Sequence, residues 1–245
     1  MRLGIFSDVH GNLEALNAVL TAYKEEAIDK YIFLGDAVGY GANPNECCKL
    51  IKNITEFSVL GNHDAACINM LSFDWFNPLA RDAIIWSEGK LTKNNRKWLE
   101  KLDYTIEYQD FLISHGLPLN PEAFEYDDDI IKIKRYFNVL GKLYKVCFIG
   151  HTHRPLVFMS DNKSEKIMID NNNQVKIKLD KKYLINVGSV GQPRDRNPLS
   201  CYTIFDTDKM VFTFKRIAYN IEKAAKKIRD ANLPDSLAER LCLGI

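Results

Sequence analysis

Short apolar runs that break off on an aspartate or a histidine recur along this chain, and they constrain its fold more than any other feature. Residues 2–7 read as a buried strand and stop at Asp8 and His10. Residues 31–34 stop at Asp36, and residues 57–60 stop at Asn62 and His63. Residues 111–114 stop at His115, and residues 145–149 stop at His151 and His153. Helical patterns separate the first three runs. Leu13, Leu16, Val19 and Leu20 share one face of residues 13–26. Asn43-Pro44-Asn45-Glu46 supplies an N-cap, a first-turn proline and a glutamate at the third position, which predicts a helix to about Ile54. Strand, helix, strand, helix, strand is the order of a layered α/β core.

The middle of the chain is more helical. Asn77-Pro78 opens a helix to about Glu88, and Thr92 opens another to about Leu102. Residues 104–108 and 111–114 form a predicted hairpin turning at Gln109-Asp110. Asp127, Asp128 and Asp129 open a helix over 130–140, where acidic side chains favour the helix start, so they read as capping groups. Beyond residue 156 the texture becomes a series of short strands, over 156–158, 166–169, 175–179, 183–187, 200–205 and 211–215, with turns such as Asp161-Asn162-Lys163. A terminal helix covers 221–231. No Pro/Ser/Gly-rich linker divides the chain, so residues 1–245 read as a single domain of two sheets with a helical segment over about 220–245.

Composition excludes several classes. Among 245 residues, 33 Lys+Arg and 32 Asp+Glu leave a formal charge of +1, which argues against a broad polyanion binder. At 46% hydrophobic and 27% charged, the chain is not a disordered one. No run is long enough to span a bilayer, and the start is not a signal peptide, so a cytoplasmic protein is expected. Six cysteines without a C-x-x-C read as reduced thiols, several in the core.

All five histidines, at 10, 63, 115, 151 and 153, lie at or just past a strand end. A lone histidine is more often a hydrogen-bonded structural residue than a ligand. Five of them, with Asp8, Asp36 and Asn62, aimed at one sheet edge reverse that balance, because strand carboxyl ends are where open α/β sheets place ligands. Asp8-x-His10 and His151-x-His153 would each put two donors on one side of an extended segment. Asp, His and Asn donors suit first-row divalent metals, and a carboxylate can bridge two of them.

The segments Asp8-Val9-His10, Gly35-Asp36, Gly61-Asn62-His63-Asp64, His115-Gly116 and Gly150-His151-Thr152-His153 follow in order, and together they resemble the calcineurin-like metallophosphoesterase family. The resemblance implies an α+β fold, a four-layer α/β/β/α sandwich with two metals at the sheet edge. It implies that Asp8, His10, Asp36 and His153 hold one metal and that Asp36, Asn62, His115 and His151 hold the other, with Asp36 bridging. His63 would face the substrate, stabilising the phosphoryl group or protonating the leaving oxygen, and Asp64 would orient His63 through a hydrogen bond. The implied cofactors are two divalent cations, Mn first among Mn, Fe, Co, Ni and Zn. The implied chemistry is in-line attack of a metal-activated hydroxide on a small phosphodiester or phosphomonoester.

The stretch after Asp36 lacks the Asp-Arg of protein Ser/Thr phosphatases, and the third block ends in Asp64 rather than Glu. Both departures weigh against a phosphoprotein substrate. Gly39-Tyr40-Gly41 and Asn186 through Arg194 are instead similar to small bacterial and archaeal phosphodiesterase-like members. Three residues near the expected cleft carry two readings each. Asn12 contacts a phosphate oxygen or caps the following helix. Tyr40 stacks on a base or aryl group, including a nucleotide base, or is a buried loop aromatic. Arg194 contacts phosphate or is solvated. The alternatives in function are a dinucleoside-polyphosphate or protein phosphatase and a non-catalytic protein-binding scaffold, which would tolerate loss of a ligand; none is lost here. No G-x-S-x-G elbow supports serine chemistry, and no added domain or aromatic-basic array supports a nuclease. The basic residues of 223–229 read as a solvated helix face. The terminal helix and short edge strands would allow a dimer without requiring one.

Overall fold

The strand and helix order of the first sixty residues is realised in the computed structural model, which describes residues 1–140, 143–161, 167–170 and 172–245. It runs β1 (Arg2–Phe6), α1 (Leu13–Glu25), β2 (Lys30–Phe33), α2 (Pro44–Ile54) and β3 (Phe57–Ser58). These three strands are parallel, with Ile5 opposite Ile32 and Phe33 opposite Ser58. The expected strand over 57–60 is short because Val59 leaves it to bridge Asp103. A helix that the sequence did not announce, α3 (Asn62–Cys67), follows at once. Then come α4 (Pro78–Lys90), α5 (Lys93–Leu99) and the antiparallel hairpin β4 (Thr105–Tyr108) and β5 (Phe111–Ser114). Next are α6 (Ile130–Val139), β6 (Val146–Ile149), β7 (Leu156–Asp161), β8 (Ile167–Asp170), β9 (Gln174–Lys176) and β10 (Lys181–Asn186). The chain ends with β11 (Ser200–Asp206), β12 (Val211–Ile217), α7 (Ile221–Asp230) and α8 (Asp235–Leu243). The predicted turn residues Asn162 and Lys163 lie outside the described residues.

Among the described residues the strands form two six-stranded sheets, ordered β3-β2-β1-β11-β12-β9 and β4-β5-β6-β10-β7-β8. The later strands do not make a separate antiparallel unit. β11 pairs antiparallel beside β1, and β10 pairs parallel to β6. The first sheet therefore has parallel strands β3-β2-β1 along one half and antiparallel strands along the other, whereas the second has a parallel centre, β5-β6-β10, flanked by antiparallel strands; the parallel strands of both deliver their carboxyl ends to one edge.

Strand alternation fixes the layers. Leu3 and Ile5 face the second sheet, together with Phe205 and Phe212, and meet Ile113, Phe148, Val157 and Ile185. The Phe148 ring lies 5.6 Å from that of Phe205 and 5.5 Å from that of Phe212, centroid to centroid. Burying each such side chain stabilises the fold by roughly 1.5–3 kcal/mol. The outward residues Phe6 and Phe33 pack under Leu16, Val19 and Tyr23 of α1 and Cys47, Cys48 and Ile51 of α2. On the far side Leu112, Cys147, Ile149 and Leu184 pack under Ile133, Tyr136 and Phe137 of α6. The result is helix, sheet, sheet, helix. Five thiols are buried in these layers, and only Cys242 is exposed.

Three local expectations need correction. Asn43 precedes α2 without a side-chain cap bond; its Oδ1 accepts instead from Lys227 Nζ of α7 at 2.7 Å. Of the acidic run before α6, Asp129 caps the helix, accepting from Ile131 N at 2.7 Å, but Asp127 is buried and turned toward Asn186. The basic face of α7 is partly paired rather than simply solvated, since Lys223 and Lys227 lie 3.3 and 2.7 Å from the buried Glu14 carboxylate. Among the described residues no helix is long and apolar enough to cross a membrane.

Candidate metal centre

Every candidate ligand stands past the carboxyl end of a parallel strand. Asp8 and His10 follow β1, Asp36 follows β2, Asn62 opens α3 after β3, His115 follows β5, and His151 and His153 follow β6. Five of these seven residues have left-handed backbones: Asp8 (φ 55°), His10 (48°), Asp36 (62°), His151 (73°) and His153 (60°). The two D-x-H and H-x-H pairs are thus not extended, as the sequence pattern implied. Tight left-handed loops gather them instead, and such strain persists only where the surroundings hold it in place. Two glycines make the gathering sterically feasible. A Cβ on Gly61 would overlap the Asp36 carboxylate, and one on Gly150 would lie 2.6 Å from Asp8 Oδ2.

The side chains converge into two adjacent triads, Asp8–His10–His153 and Asp36–His115–His151, the donor atoms of each lying within 4.8 Å of one another. Asp36 reaches both: its Oδ2 is 3.6 Å from His10 Nε2 and 3.3 Å from His115 Nε2. Asp8 Oδ1 is 3.2 Å from His153 Nε2 and 3.7 Å from His10 Nε2. Asn62 Oδ1 is 3.1 Å from His115 Nε2. His63 also comes within the same range of His10 and Asp36.

The ring nitrogens are oriented from behind. Nδ1 of His10, His115 and His153 lies 3.0, 2.7 and 2.6 Å from the carbonyl oxygens of Val38, Leu34 and Gln192. A carbonyl only accepts, so each Nδ1 donates, and Nε2 is the atom turned to the centre. His10 Nε2 and His153 Nε2 are 3.1 Å apart. Two lone pairs cannot bond each other, but ligands at about 2.1 Å from one cation and at right angles sit about 3 Å apart. Asp8 Oδ1 and His151 Nε2 are buried without a hydrogen-bond partner among the described residues. A buried carboxylate oxygen left alone is costly, and a cation satisfies it. The donor set fits two divalent cations.

Charge favours the same occupant. Burial raises the Asp8 and Asp36 carboxyls, but His153, His10 and His115 around Asp8, and His115 and His63 around Asp36, outweigh it and hold both below their ordinary value. Burial pulls His151 and His153 down to about 3, leaving neutral rings. Burial also pulls on His115, yet the Asp36 carboxylate beside Nε2 prevails and raises it to about 9. A cation bound there would take the place of that proton.

The remaining expected residues surround the centre. Asp64 does not bond to His63. Its carboxylate accepts from the backbone N–H of Asp36 (2.8 Å), Val38 (3.1 Å) and Gly61 (3.4 Å), because successive helical residues point about 100° apart and Asp64 folds back over the start of α3. Burial and the Asp36 charge push Asp64 up to about 7. Asn12 caps α1, accepting from Ala15 N at 3.1 Å, and donates to Gly191 O at 2.8 Å. Tyr40 is a buried loop aromatic whose ring lies 4.7 Å from that of His10 and 4.6 Å from that of His63. Arg194 is half-buried and donates to the Tyr40 hydroxyl at 3.2 Å.

Other residues here escaped the sequence reading. Tyr126, 45% exposed, stacks on His151 at 4.0 Å. Phe76 meets His63 edge-on. Asp127 and Asn186 support the loop between His151 and His153: Asn186 Nδ2 donates to Gly150 O (2.6 Å) and lies 2.7 Å from Thr152 Oγ1 and 3.2 Å from Asp127 Oδ2. Asn186 and Gln192 belong to the stretch from Asn186 through Arg194 that is similar to small phosphodiesterase-like members. Nothing in sequence flagged Tyr126 or Asp127 beyond an acidic run that pointed to capping.

Residues 1–210 match a family model described as the calcineurin-like phosphoesterase superfamily domain. An uncharacterized protein of Methanocaldococcus jannaschii is 40% identical over 248 residues, covering 99% of this chain and 98% of its own. A crystal structure of a metallophosphoesterase from Sphaerobacter thermophilus is 37% identical with a TM-score of 0.86, covering 100% of this chain and 99% of its own. A hypothetical protein from Pyrococcus horikoshii shares the fold at 19% identity and a TM-score of 0.80, with 100% and 98% covered.

Proposed function

The chain belongs to the calcineurin-like phosphoesterase superfamily, and on that premise we propose that its two-metal site hydrolyses a small phosphodiester or phosphomonoester. The observation that carries this reading is the convergence of two buried carboxylates and four imidazoles into adjacent triads at one sheet edge. Asp8, His10, Asp36 and His153 would hold one cation. Asp36, Asn62, His115 and His151 would hold the other, with Asp36 shared. When bound, the two cations make a water acidic enough to attack near neutral pH and offset charge on the phosphoryl oxygens. Manganese leads the candidates Mn, Fe, Co, Ni and Zn, all of which accept N/O donors.

The chain's own groups do the rest. Among the described residues the Nδ1 of His63 has no hydrogen-bond partner, unlike that of His10, His115 and His153, which leaves the ring to act on substrate. Burial lowers His63 well below its ordinary value, so the free site holds a neutral ring with one N–H to donate to a phosphoryl oxygen. Protonation of a leaving oxygen needs the substrate's charge to draw a proton onto that ring. Asp64 fixes the Asp36 loop to the start of α3. Arg194 stands at the rim, within reach of a phosphate group carried by the substrate, and Tyr40 packs the two rings of His10 and His63. Asn12 holds Gly191 and, through it, the Gln192 turn beside the substrate. The reading includes a cytoplasmic location, in keeping with five buried free thiols, a substrate range that includes nucleotides, and residues 1–245 as one domain.

The test is hydrolysis of bis(p-nitrophenyl) phosphate and p-nitrophenyl phosphate by metal-stripped protein, with each metal added back. Turnover should return with manganese. Asp36→Asn should abolish it and lower the bound metal. His63→Ala should cut kcat by about 10²–10⁴ with metal content unchanged. Protein that binds no divalent metal would overturn the reading.

A further inference from the structure

Arg194, in the connection between β10 and β11, and Arg240, on α8, meet at one ring. Their guanidinium carbons lie 5.5 and 5.6 Å from the centre of Tyr40. One arginine on a tyrosine is an ordinary cation–π contact. Two like charges on one buried ring repel. Burial together with the Arg194 charge lowers Arg240 below its usual value. Among the described residues neither makes an ion pair with Asp or Glu, although the two charges share one ring.

The groups around them are short of acceptors. Arg194 spends Nε and Nη2 on Gln192 Oε1, at 3.3 and 2.9 Å, and Nη2 also on the Tyr40 hydroxyl. Arg240 donates from Nε to the main-chain oxygen of Ile245, the last residue, at 2.6 Å, which leaves its two Nη groups. Gln192 is 1% exposed, and its Nε2 has no hydrogen-bond partner among the described residues. A buried amide donor without an acceptor calls for a ligand that supplies one. The place is also next to the reaction. Tyr40 packs on His63 and His10, and the Arg194 charge is felt at both His63 and His153.

We propose that Arg194 and Arg240, with the Gln192 amide, form a subsite for a second phosphate, so that the natural substrate is a phosphoester carrying a further phosphate group. The proposal rests on the two-cation reading for where the reacting phosphoryl sits. Guanidinium forks match phosphate oxygens in pairs, which a lone lysine does not. Phosphate accepts from every donor left over here and cancels the repulsion across Tyr40. The family model ends at residue 210, so Arg240 is contributed by a part of the chain outside that match.

The experiment compares substrates that differ only by the second phosphate. On manganese-loaded protein, KM is measured for thymidine 5′-(p-nitrophenyl phosphate) and for its 3′-phosphorylated counterpart. On metal-stripped protein, calorimetry gives Kd for thymidine 5′-monophosphate and thymidine 3′,5′-bisphosphate. The doubly phosphorylated member should win by about tenfold in each pair. That ratio should fall toward one in Arg194→Gln and in Arg240→Gln, and Arg240→Lys should keep part of it. Equal KM and equal Kd within both pairs in the unmodified protein would overturn the subsite, whatever the variants do. Protein that binds no divalent metal would instead strike the two-cation reading, while the metal-free binding pair still decides the subsite.

Discussion

Asp127 sits in a run of three aspartates, yet only Asp129 caps α6. Burial pushes the Asp127 carboxyl from 3.8 up to about 6, against hydrogen bonds from Thr152 and Asn186 that favour its charged form. Between these two values the folded chain holds a proton that the unfolded chain has released. Stability from this group therefore falls as pH rises from about 4 to about 6, and the full cost persists above. Asp127→Asn removes the titration. Relative to the unmodified protein, the variant should gain on the order of 3 kcal/mol between pH 4 and pH 7 in urea unfolding. The same stability gap at both pH values would contradict the assignment.

At the scale of elements, strand ends and helix starts share the work. β1 ends in a left-handed loop that presents Asp8 and His10, and α1 begins on Asn12 just beyond. The amide of Asn12 is committed twice, to the Ala15 N–H and the Gly191 carbonyl, which ties α1 to the turn holding Gln192. Asn12→Ala should cost about 1–2 kcal/mol of stability, seen as a lower urea midpoint, while KM for bis(p-nitrophenyl) phosphate stays constant. A raised KM at unchanged stability would assign Asn12 to substrate instead. α3 was missed in the sequence because it is only six residues long and opens on Asn62 and His63, whose ligand-like pattern masks the helix start.

For the molecule as a whole, the metal centre is a seam. Asp8, His10 and Asp36 belong to the first sheet, and His115, His151 and His153 to the second. Cations held between them would clamp the two sheets and favour the folded chain, which alone brings the donors of each triad together. Chelation should therefore lower Tm, and manganese at a hundredfold excess over its Kd should restore about 2.7 kcal/mol per site. An identical Tm with and without chelator would argue that the seam holds no metal.

The sequence determined the ligand types, their order and their place at strand ends, because the two-residue period of a strand and the residue that breaks it are local facts. It also carried the layered α/β order and the family resemblance. Tertiary structure alone decided how those groups are used. Sheet order brings Leu34, Val38 and Gln192 carbonyls behind three rings and so selects Nε2 as the inward atom. It sends Asp64 to backbone amides rather than to His63, and buries Asp127 beside Asn186. It sets Arg240 against Tyr40, two hundred positions earlier in the chain. Such pairings depend on which strands and helices become neighbours, and a local pattern carries no record of partners so far away.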